Sequence, residues 1–514
     1  MGYMWSPPFS RREKYSIGVL SLVAFALRIP LAFRSERALT GLPYGDDAYY
    51  LFSIARHLAA GHGPTVDGIH LTNGFQPLIL LFYAPIFWLC GSDAWLAVRW
   101  TFIVNGIIAT LSVWAVAVLI RTLEREPQTS GLTAPIIGAA IWAFTFQIFG
   151  AMTNGLETGL ASLMLIVALT LYAKLEIDSA NGIKIPLRQW IVFGVLLGFA
   201  VLARIDAAIF VALVVVVLIL KRQMREALST GISAFIISAP WWIFNWVAFG
   251  NVMPTSGQAE NSWPMPKWEN IQQAVKAISD MLSLVFYLPG SFSLIARIVW
   301  ALLLLSGILF VYYRTHLIER LRTSFRLNSL IHLLLFSTAL VVYYTFFFRA
   351  PHFISRYLQP ARMLWSVFIA LSVSILWRGK LARAFIILAA ALCLTFSVVG
   401  YVRDYFPSDP SADLYDMGVW AQQHPNEKIA MLQSGIASFI APNVINLDGK
   451  VNTEALRAHQ EGRLAEYLRD EHFTYIADWK PFVEDIAAMT KKDELYFDSV
   501  GMIGSIQLMK RLTR

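Results

Sequence analysis

Two adjacent acidic residues, Asp46 and Asp47, form the pair with the clearest chemical potential in this sequence. They begin a segment whose apolar positions 48, 51, 52, 55, 58 and 59 follow helical spacing, which predicts a helix lying along a membrane surface. One aspartate could cap this helix, but a cap needs only one carboxylate. The pair could therefore take a proton from a bound hydroxyl group, or bind a cation.

The segment that follows the aspartate pair adds candidate binding residues. Aromatic rings here could stack on a bound ligand, although tyrosines also belong to the interfacial belt of any membrane protein. The polar side chains precede a short apolar run and could hydrogen-bond a substrate. These candidates are Tyr49, His70, Asn73 and Gln76.

Further charged residues lie between apolar runs. Each has an ordinary structural explanation, such as an arginine reaching out of the lipid or an Arg–Asp pair closing a hairpin. Together they predict one layer of carboxylates and cations at the outer boundary of the membrane, where a lipid-linked phosphate would lie and arginine could grip it with two parallel hydrogen bonds. The candidates are Glu157, Arg204, Asp206, Lys267, Arg349, His352, Arg356 and Tyr357.

The composition requires a membrane environment for these groups. Of 514 residues, 57% are hydrophobic and only 15% are charged, which is too apolar for a soluble surface. The net charge of +8 does not indicate nucleic-acid binding, because the basic residues form short clusters between apolar runs and no basic stripe interleaves with aromatics. Cys90 and Cys393 both lie inside apolar runs, which excludes a disulfide scaffold.

Apolar runs predict about eleven transmembrane helices, each near the ~20 residues that a span needs. The run from Gln76 to Cys90 is shorter and is predicted not to cross. The basic clusters then all lie on the side of the N-terminus, which is predicted to be cytoplasmic. The predicted spans are approximately 15–33, 99–120, 131–150, 156–173, 189–204, 207–220, 229–248, 291–313, 328–348, 361–377 and 384–402.

The sequence is therefore predicted to be a polytopic α-helical membrane protein over 1–402, with long outer loops at 34–95 and 250–290. Residues 403–514 are predicted to form an extracytoplasmic α/β domain. Its expected strands are KIAML, VINLD, FTYIADW and SIQLMKRL, and TEALRAHQEGRLAEYLRDE is expected to be helical, with Leu456, Leu464 and Leu468 on one face.

The first outer loop, DDAYYLFSIARHLAAGHGPTVDGIHLTNGFQPL, resembles that of the GT-C superfamily of membrane glycosyltransferases. This superfamily includes aminoarabinose transferases, protein mannosyltransferases and mycobacterial arabinofuranosyltransferases. NGLETGL, LARID, MPTSG and LDGKVN resemble further motifs of bacterial members. The likeness covers most of the membrane part.

The resemblance implies transfer of a sugar from a polyprenyl-phosphate donor to a glycan, lipid or protein acceptor, outside the bacterial inner membrane. It implies a first-loop aspartate as general base, and of the two we favour Asp46. One base without a second nucleophile favours a single displacement with inversion. Gln76 stands where the family pattern has histidine, and is expected only to hydrogen-bond. The implied partners are the polyprenyl-phosphate sugar, the glycan, lipid or protein acceptor and membrane lipid, without nucleic acid. No metal is indicated, although a divalent cation at Asp46 and Asp47 stays open.

Three other functions are compatible with the sequence. A transporter or flippase for lipid-linked sugars would place its binding groups near the midplane, on matching halves, which this sequence does not show. A polymerase or ligase acting on lipid diphosphates would use similar arginines. A binding module on a membrane anchor would not need eleven spans.

Overall fold

The computed structural model describes residues 9–126, 131–260, 268–282, 295, 298–299, 302, 306–307, 315–348, 354–407 and 412–512. Helices make up 71% of the structure, and a small sheet lies near the C-terminus. A predominantly helical chain with a C-terminal sheet agrees with the predicted class.

Seven helices are long and apolar enough to cross a membrane, and four shorter apolar helices accompany them among the described residues. The predicted span at 291–313 falls largely outside the described residues, so the count of eleven stays a prediction. The seven long helices are Arg11–Ala32 (a helix with a short break), Ala94–Leu123, Thr158–Ala180, Met224–Phe249, Asn328–Phe346, Gln359–Leu376 and Lys380–Tyr405. The four shorter ones are Pro77–Cys90, Ala134–Phe144, Leu187–Ala203 and Ala207–Leu220.

The helix Pro77–Cys90 contains 14 residues. At 1.5 Å per residue it is about 21 Å long, short of the ~30 Å hydrocarbon core. Ala207–Leu220, which is a predicted span, has the same length, so the expectation that Pro77–Cys90 does not cross stays a prediction. The other helices of the N-terminal part are Glu36–Leu39, Asp46–Ala59, Phe146–Ala151, Thr255–Glu260, Trp268–Leu282, Leu317–Ser324 and Ile354–Tyr357.

The C-terminal region (412–512) contains a five-stranded mixed sheet of β1 (Ile429–Met431), β2 (Val444–Asn446), β3 (Tyr475–Trp479), β4 (Phe497–Ile503) and β5 (Ile506–Arg511). Its strand order is β2-β1-β3-β5-β4. The first three strands are parallel, and β5 runs antiparallel to both β3 and β4. β1, β2, β3 and β5 confirm the four predicted strands.

The predicted helix 453–471 is two helices, Thr453–Gln460 and Leu464–Asp470. Gly462 between them has a positive φ of 69°, which favours glycine and ends the first helix. The three predicted leucines are nevertheless all buried. The region's remaining helices are Asp413–Gln423, Gly435–Ile440 and Lys480–Lys491.

The C-terminal region packs on the first loop (34–95). The Arg56 guanidinium donates to the carbonyl of Phe439 at 3.0 Å, and the Arg37 guanidinium pairs with the Asp416 carboxylate. Trp95, at the start of the helix Ala94–Leu123, packs edge-on against the Phe439 ring. These contacts place the C-terminal region at the end of the helices where the first loop lies.

The other end of the helix Ala94–Leu123 carries a second charged cluster. The buried Arg121 guanidinium pairs with the carboxylates of Glu13 and Glu124. A 30-residue helix is about 45 Å long, so this cluster lies far from the first loop.

Candidate functional site

Asp46 and Asp47 begin the helix Asp46–Ala59, but their side chains lie in different environments. The Asp46 oxygens accept hydrogen bonds from the backbone N–H groups of Gly435 and Ile436, at 2.9 and 2.7 Å. Asp46 therefore caps the helix Gly435–Ile440 of the C-terminal region and does not cap its own helix. It is absent from the lining of the large cavity that Asp47 faces.

The contact around Asp46 is tight. A Cβ atom at Gly435 would lie 2.1 Å from the Asp46 carbonyl oxygen, so only glycine permits this approach. Burial raises the pKa of the Asp46 carboxyl to about 7, although the two backbone donors act to lower it. Tyr50 adds a second link, since its hydroxyl accepts from the Ser434 N–H and from the Asn446 amide.

Replacing Asp46 with Asn is expected to loosen this contact. An amide has one acceptor oxygen, and its NH2 group would face a backbone donor. The loss of one such hydrogen bond costs about 0.5–1.5 kcal/mol. Amide hydrogen exchange at Gly435 and Ile436 should therefore be faster in Asp46→Asn than in wild type. Glu466→Gln, at an exposed carboxylate of the same region, should leave it unchanged. Unchanged exchange in Asp46→Asn would contradict the capping role.

The raised pKa of Asp46 also predicts a pH dependence. Because its pKa is about 7 in the folded protein against an ordinary 3.8, ionisation favours the unfolded chain. The contribution of this carboxyl to stability is thus greatest below about pH 4 and is lost as the pH rises to about 7. The thermal midpoint of wild type minus that of Asp46→Asn should fall over this range and then level off. A difference that does not change with pH would contradict the prediction.

Asp47 faces a cavity of about 340 Å³, within the range of small-molecule sites. Its carboxylate lies 2.8 Å from the Arg356 guanidinium. That guanidinium also donates to the Tyr357 hydroxyl at 3.0 Å and lies over the Tyr357 ring. Burial acts to lower the pKa of Arg356, but the interactions with Tyr357 and with the Asp47 carboxylate outweigh burial and keep this pKa above its usual value.

Arg204 enters the same cavity from a break between two apolar helices. Leu187–Ala203 ends at Arg204, whose backbone is extended, and Ala207 begins the next helix. The guanidinium lies 2.7 Å from the Glu157 carboxylate and 2.6 Å from the Asp206 carboxylate. Asp206 also accepts from the Tyr344 hydroxyl at 2.8 Å. Burial acts against the charge of Arg204, but these acidic neighbours, Asp206 foremost, hold its pKa well above the usual value.

The rest of the cavity comes from the two long loops and the C-terminal region. Gln76 accepts a hydrogen bond from the Ile205 N–H at 3.3 Å, which ties the first loop to the Arg204 turn. Lys450 enters from the C-terminal region, with its ammonium 3.0 Å from Glu260. The charged lining residues are thus four acids and three bases: Asp47, Glu157, Asp206, Glu260, Arg204, Arg356 and Lys450.

A second, more open cavity of about 690 Å³ lies beside the first. Phe75 lines both, and its ring packs 4.9 Å from that of Trp241. Apart from Phe75, the lining is made of aliphatic, aromatic and proline side chains: Leu58, Ala59, Pro64, Pro77, Leu80, Leu81, Ala84, Pro85, Trp88, Trp241 and Phe244. Phe75 is thus shared by the lining of a charged chamber and that of an apolar groove.

The structure brings seven predicted residues into the cavity lining: Asp47, Gln76, Glu157, Arg204, Asp206, Arg356 and Tyr357. Tyr49 is instead buried against Phe439, and His70 pairs with Asp67 at 2.6 Å. The Asn73 side chain accepts a hydrogen bond from the Thr255 N–H of the second loop, at 2.9 Å. Lys267, Arg349 and His352 lie outside the described residues.

The lining residues that sequence reasoning did not single out include Glu260, Tyr344 and Lys450. Lys450 had a signal, because it follows the strand β2 in the LDGKVN segment, and the ends of strands often carry functional groups. No group of three or more His, Cys, Asp or Glu side chains suited to a metal ion occurs within the part of the chain that the structure describes.

No protein-family model matches this chain, and no curated protein matches it in sequence.

Proposed function

We propose that this protein is an inverting glycosyltransferase of the GT-C type, which moves a sugar from a polyprenyl-phosphate donor to a glycan, lipid or protein acceptor. The observation that carries the proposal is the shared cavity, in which Asp47 lies 2.8 Å from Arg356 and beside the Arg204 cluster. A carboxylate for the acceptor proton and guanidinium groups for a phosphate are the parts that such a transfer needs.

Asp47 is the general base in this proposal, in place of the Asp46 favoured from sequence. Both oxygens of Asp46 accept from backbone N–H groups, whereas Asp47 faces the chamber where an acceptor could lie. Its neighbour Arg356 can hold the acceptor or the phosphate while Asp47 takes the proton.

The reaction is a single displacement. As the acceptor hydroxyl attacks the anomeric carbon, its proton passes to Asp47 and a new C–O bond forms. The bond from the anomeric carbon to the phosphate oxygen breaks, and polyprenyl phosphate leaves with the electron pair. Glu157 and Asp206 line the same cavity and would stabilise positive charge on the sugar ring, and the leaving phosphate needs no proton.

The apolar groove supports a lipid-linked donor. A polyprenyl chain is entirely hydrocarbon, and it would bury apolar surface against Trp88, Leu81 and Trp241. Phe75 lines both cavities, which are therefore adjacent, and in this proposal the phosphate binds in the chamber while the chain lies in the groove.

The same proposal includes the membrane placement. The seven long apolar helices support a multi-pass protein. About eleven spans, a cytoplasmic N-terminus and a C-terminal α/β domain (403–514) outside the bacterial inner membrane follow from the basic clusters. The chamber would then open to the outer side, where lipid-linked sugars are used.

Transfer by the purified full-length protein tests the proposal. The protein would be mixed with a radiolabelled polyprenyl-phosphate sugar and an extract of envelope glycans and lipids. We expect label in the acceptor fraction and an equal amount of released polyprenyl phosphate. Movement of intact donor across vesicles without transfer would favour a flippase, and activity only with lipid diphosphates would favour a polymerase or ligase.

A further inference from the structure

Lys450 is the residue through which the C-terminal region enters the cavity. It follows β2 in a turn where Gly449 has a positive φ of 80° and approaches Leu456 too closely for a side chain. The Lys450 side chain is only 17% exposed, and its ammonium lies 3.0 Å from Glu260 and 3.5 Å from Asp448. The lysine is therefore a fixed part of the chamber wall.

Two separate loops hold the backbone of Lys450. The Thr255 hydroxyl donates to its carbonyl at 2.9 Å, and the Thr255 N–H donates to the Asn73 side chain at 2.9 Å. Gly74 packs so closely that a Cβ atom there would lie 1.9 Å from the Lys450 carbonyl oxygen. The first loop, the second loop and the C-terminal region thus meet at one carbonyl group.

The charge of Lys450 is secured by its surroundings. Burial acts to lower its pKa, but Asp448, Asp47 and Glu260 outweigh burial and keep the pKa above its usual value. An ammonium group has three N–H donors that can be shared among carboxylate and phosphate oxygens. Arg204 and Arg356, like Lys450, contact carboxylates directly in the same chamber, and all three cations line one cavity.

We infer that Lys450 binds the phosphate group of the lipid-linked donor, so that the C-terminal region supplies part of the binding site. The inference rests on the proposed function, because it assigns the phosphate of that donor to a particular cation. The region would then be required for donor binding itself, in addition to any contact with the acceptor.

Binding of a short-chain polyprenyl phosphate to the full-length protein tests this inference, with the corresponding polyprenol as the uncharged probe. We expect Lys450→Met to bind the phosphate at least tenfold more weakly than wild type and the polyprenol equally well. Lys450→Arg should bind both probes almost as wild type does. The matched control is Lys480→Met, at an exposed lysine of the same region, which should bind both like wild type.

Thermal unfolding of each variant identifies folding defects. If Lys450→Met does not fold, Lys450→Gln replaces it, because the amide keeps a hydrogen-bonding group between Glu260 and Asp448. Inorganic phosphate should displace the lipid only at far higher concentration, and equal potency of the two would overturn the assignment to a lipid phosphate.

The same binding experiment distinguishes failure of the Lys450 inference from failure of the proposed function. Wild type that binds polyprenyl phosphate, together with a folded Lys450→Met or Lys450→Gln of equal affinity, would overturn the role of Lys450 and leave the proposed function standing. Wild type that binds no polyprenyl phosphate would overturn both.

Discussion

Asp47→Asn is expected to reduce sugar transfer by about 10²–10⁴-fold, the usual contribution of a general base. The amide keeps the shape of the side chain and an acceptor for the Arg356 guanidinium, which lies 2.8 Å from Asp47. It cannot accept the proton of the attacking hydroxyl. Donor binding should be preserved or slightly stronger, because Arg356 loses a competing carboxylate. The measurement is kcat and KM for transfer from a polyprenyl-phosphate sugar.

Asp46→Asn is the matched control for this experiment. It makes the same chemical change one residue away, but its expected effect is faster hydrogen exchange at the contact with Gly435 and Ile436. The thermal midpoint of Asp47→Asn should stay near that of wild type. A folded Asp47→Asn with wild-type kcat would contradict its role as base.

Arg204→Met is expected to have the largest effect on stability. The Arg204 guanidinium compensates the carboxylates of Glu157 and Asp206, whose side chains are only 10% and 8% exposed. Removing one partner of a buried ion pair leaves uncompensated charge and costs about 3–5 kcal/mol. We expect a clear fall in the free energy of unfolding, measured by denaturant titration in detergent.

Two further variants define what Arg204 contributes. Arg204→Lys keeps the positive charge but cannot contact both carboxylates with a planar fork, so it should restore part of the lost stability. Arg463→Gln removes an arginine from an exposed pair with Glu461 and should leave stability unchanged. An Arg204→Met protein as stable as wild type would mean that Glu157 and Asp206 find compensation elsewhere.

The sequence identified the aspartate pair but could not decide which member faces the chamber. Successive residues on a helix point about 100° apart, so one of the two had to point elsewhere. Which aspartate points away from the chamber depends on the helix Gly435–Ile440, almost 400 positions away in the chain. The backbone N–H groups at the start of that helix donate to the Asp46 carboxylate. Contacts of this kind leave no local pattern in the sequence.

The strands of the C-terminal region were also predicted only in part from the sequence. β1, β2 and β3 are short apolar runs that are buried, so hydrophobicity alone located them. β4 was missed because it is an edge strand, exposed along most of its length, and it carries Gly501 at a register shift in its pairing with β5. Lys450 was missed as a site residue because its place in the chamber depends on contacts with Gly74 and Thr255, in two distant loops.

Photocrosslinking with a polyprenyl phosphate that carries a diazirine on its first isoprene unit tests the central claim most directly. The claim is that the lipid phosphate binds in the chamber of Asp47 and Arg356, at the first-loop end of the helices. Mass spectrometry of the labelled full-length protein should find crosslinks on the chamber and its groove, in peptides around Phe75, Arg356 and Lys450. Crosslinks concentrated on the opposite cluster, around Arg121 and Glu124, would contradict it.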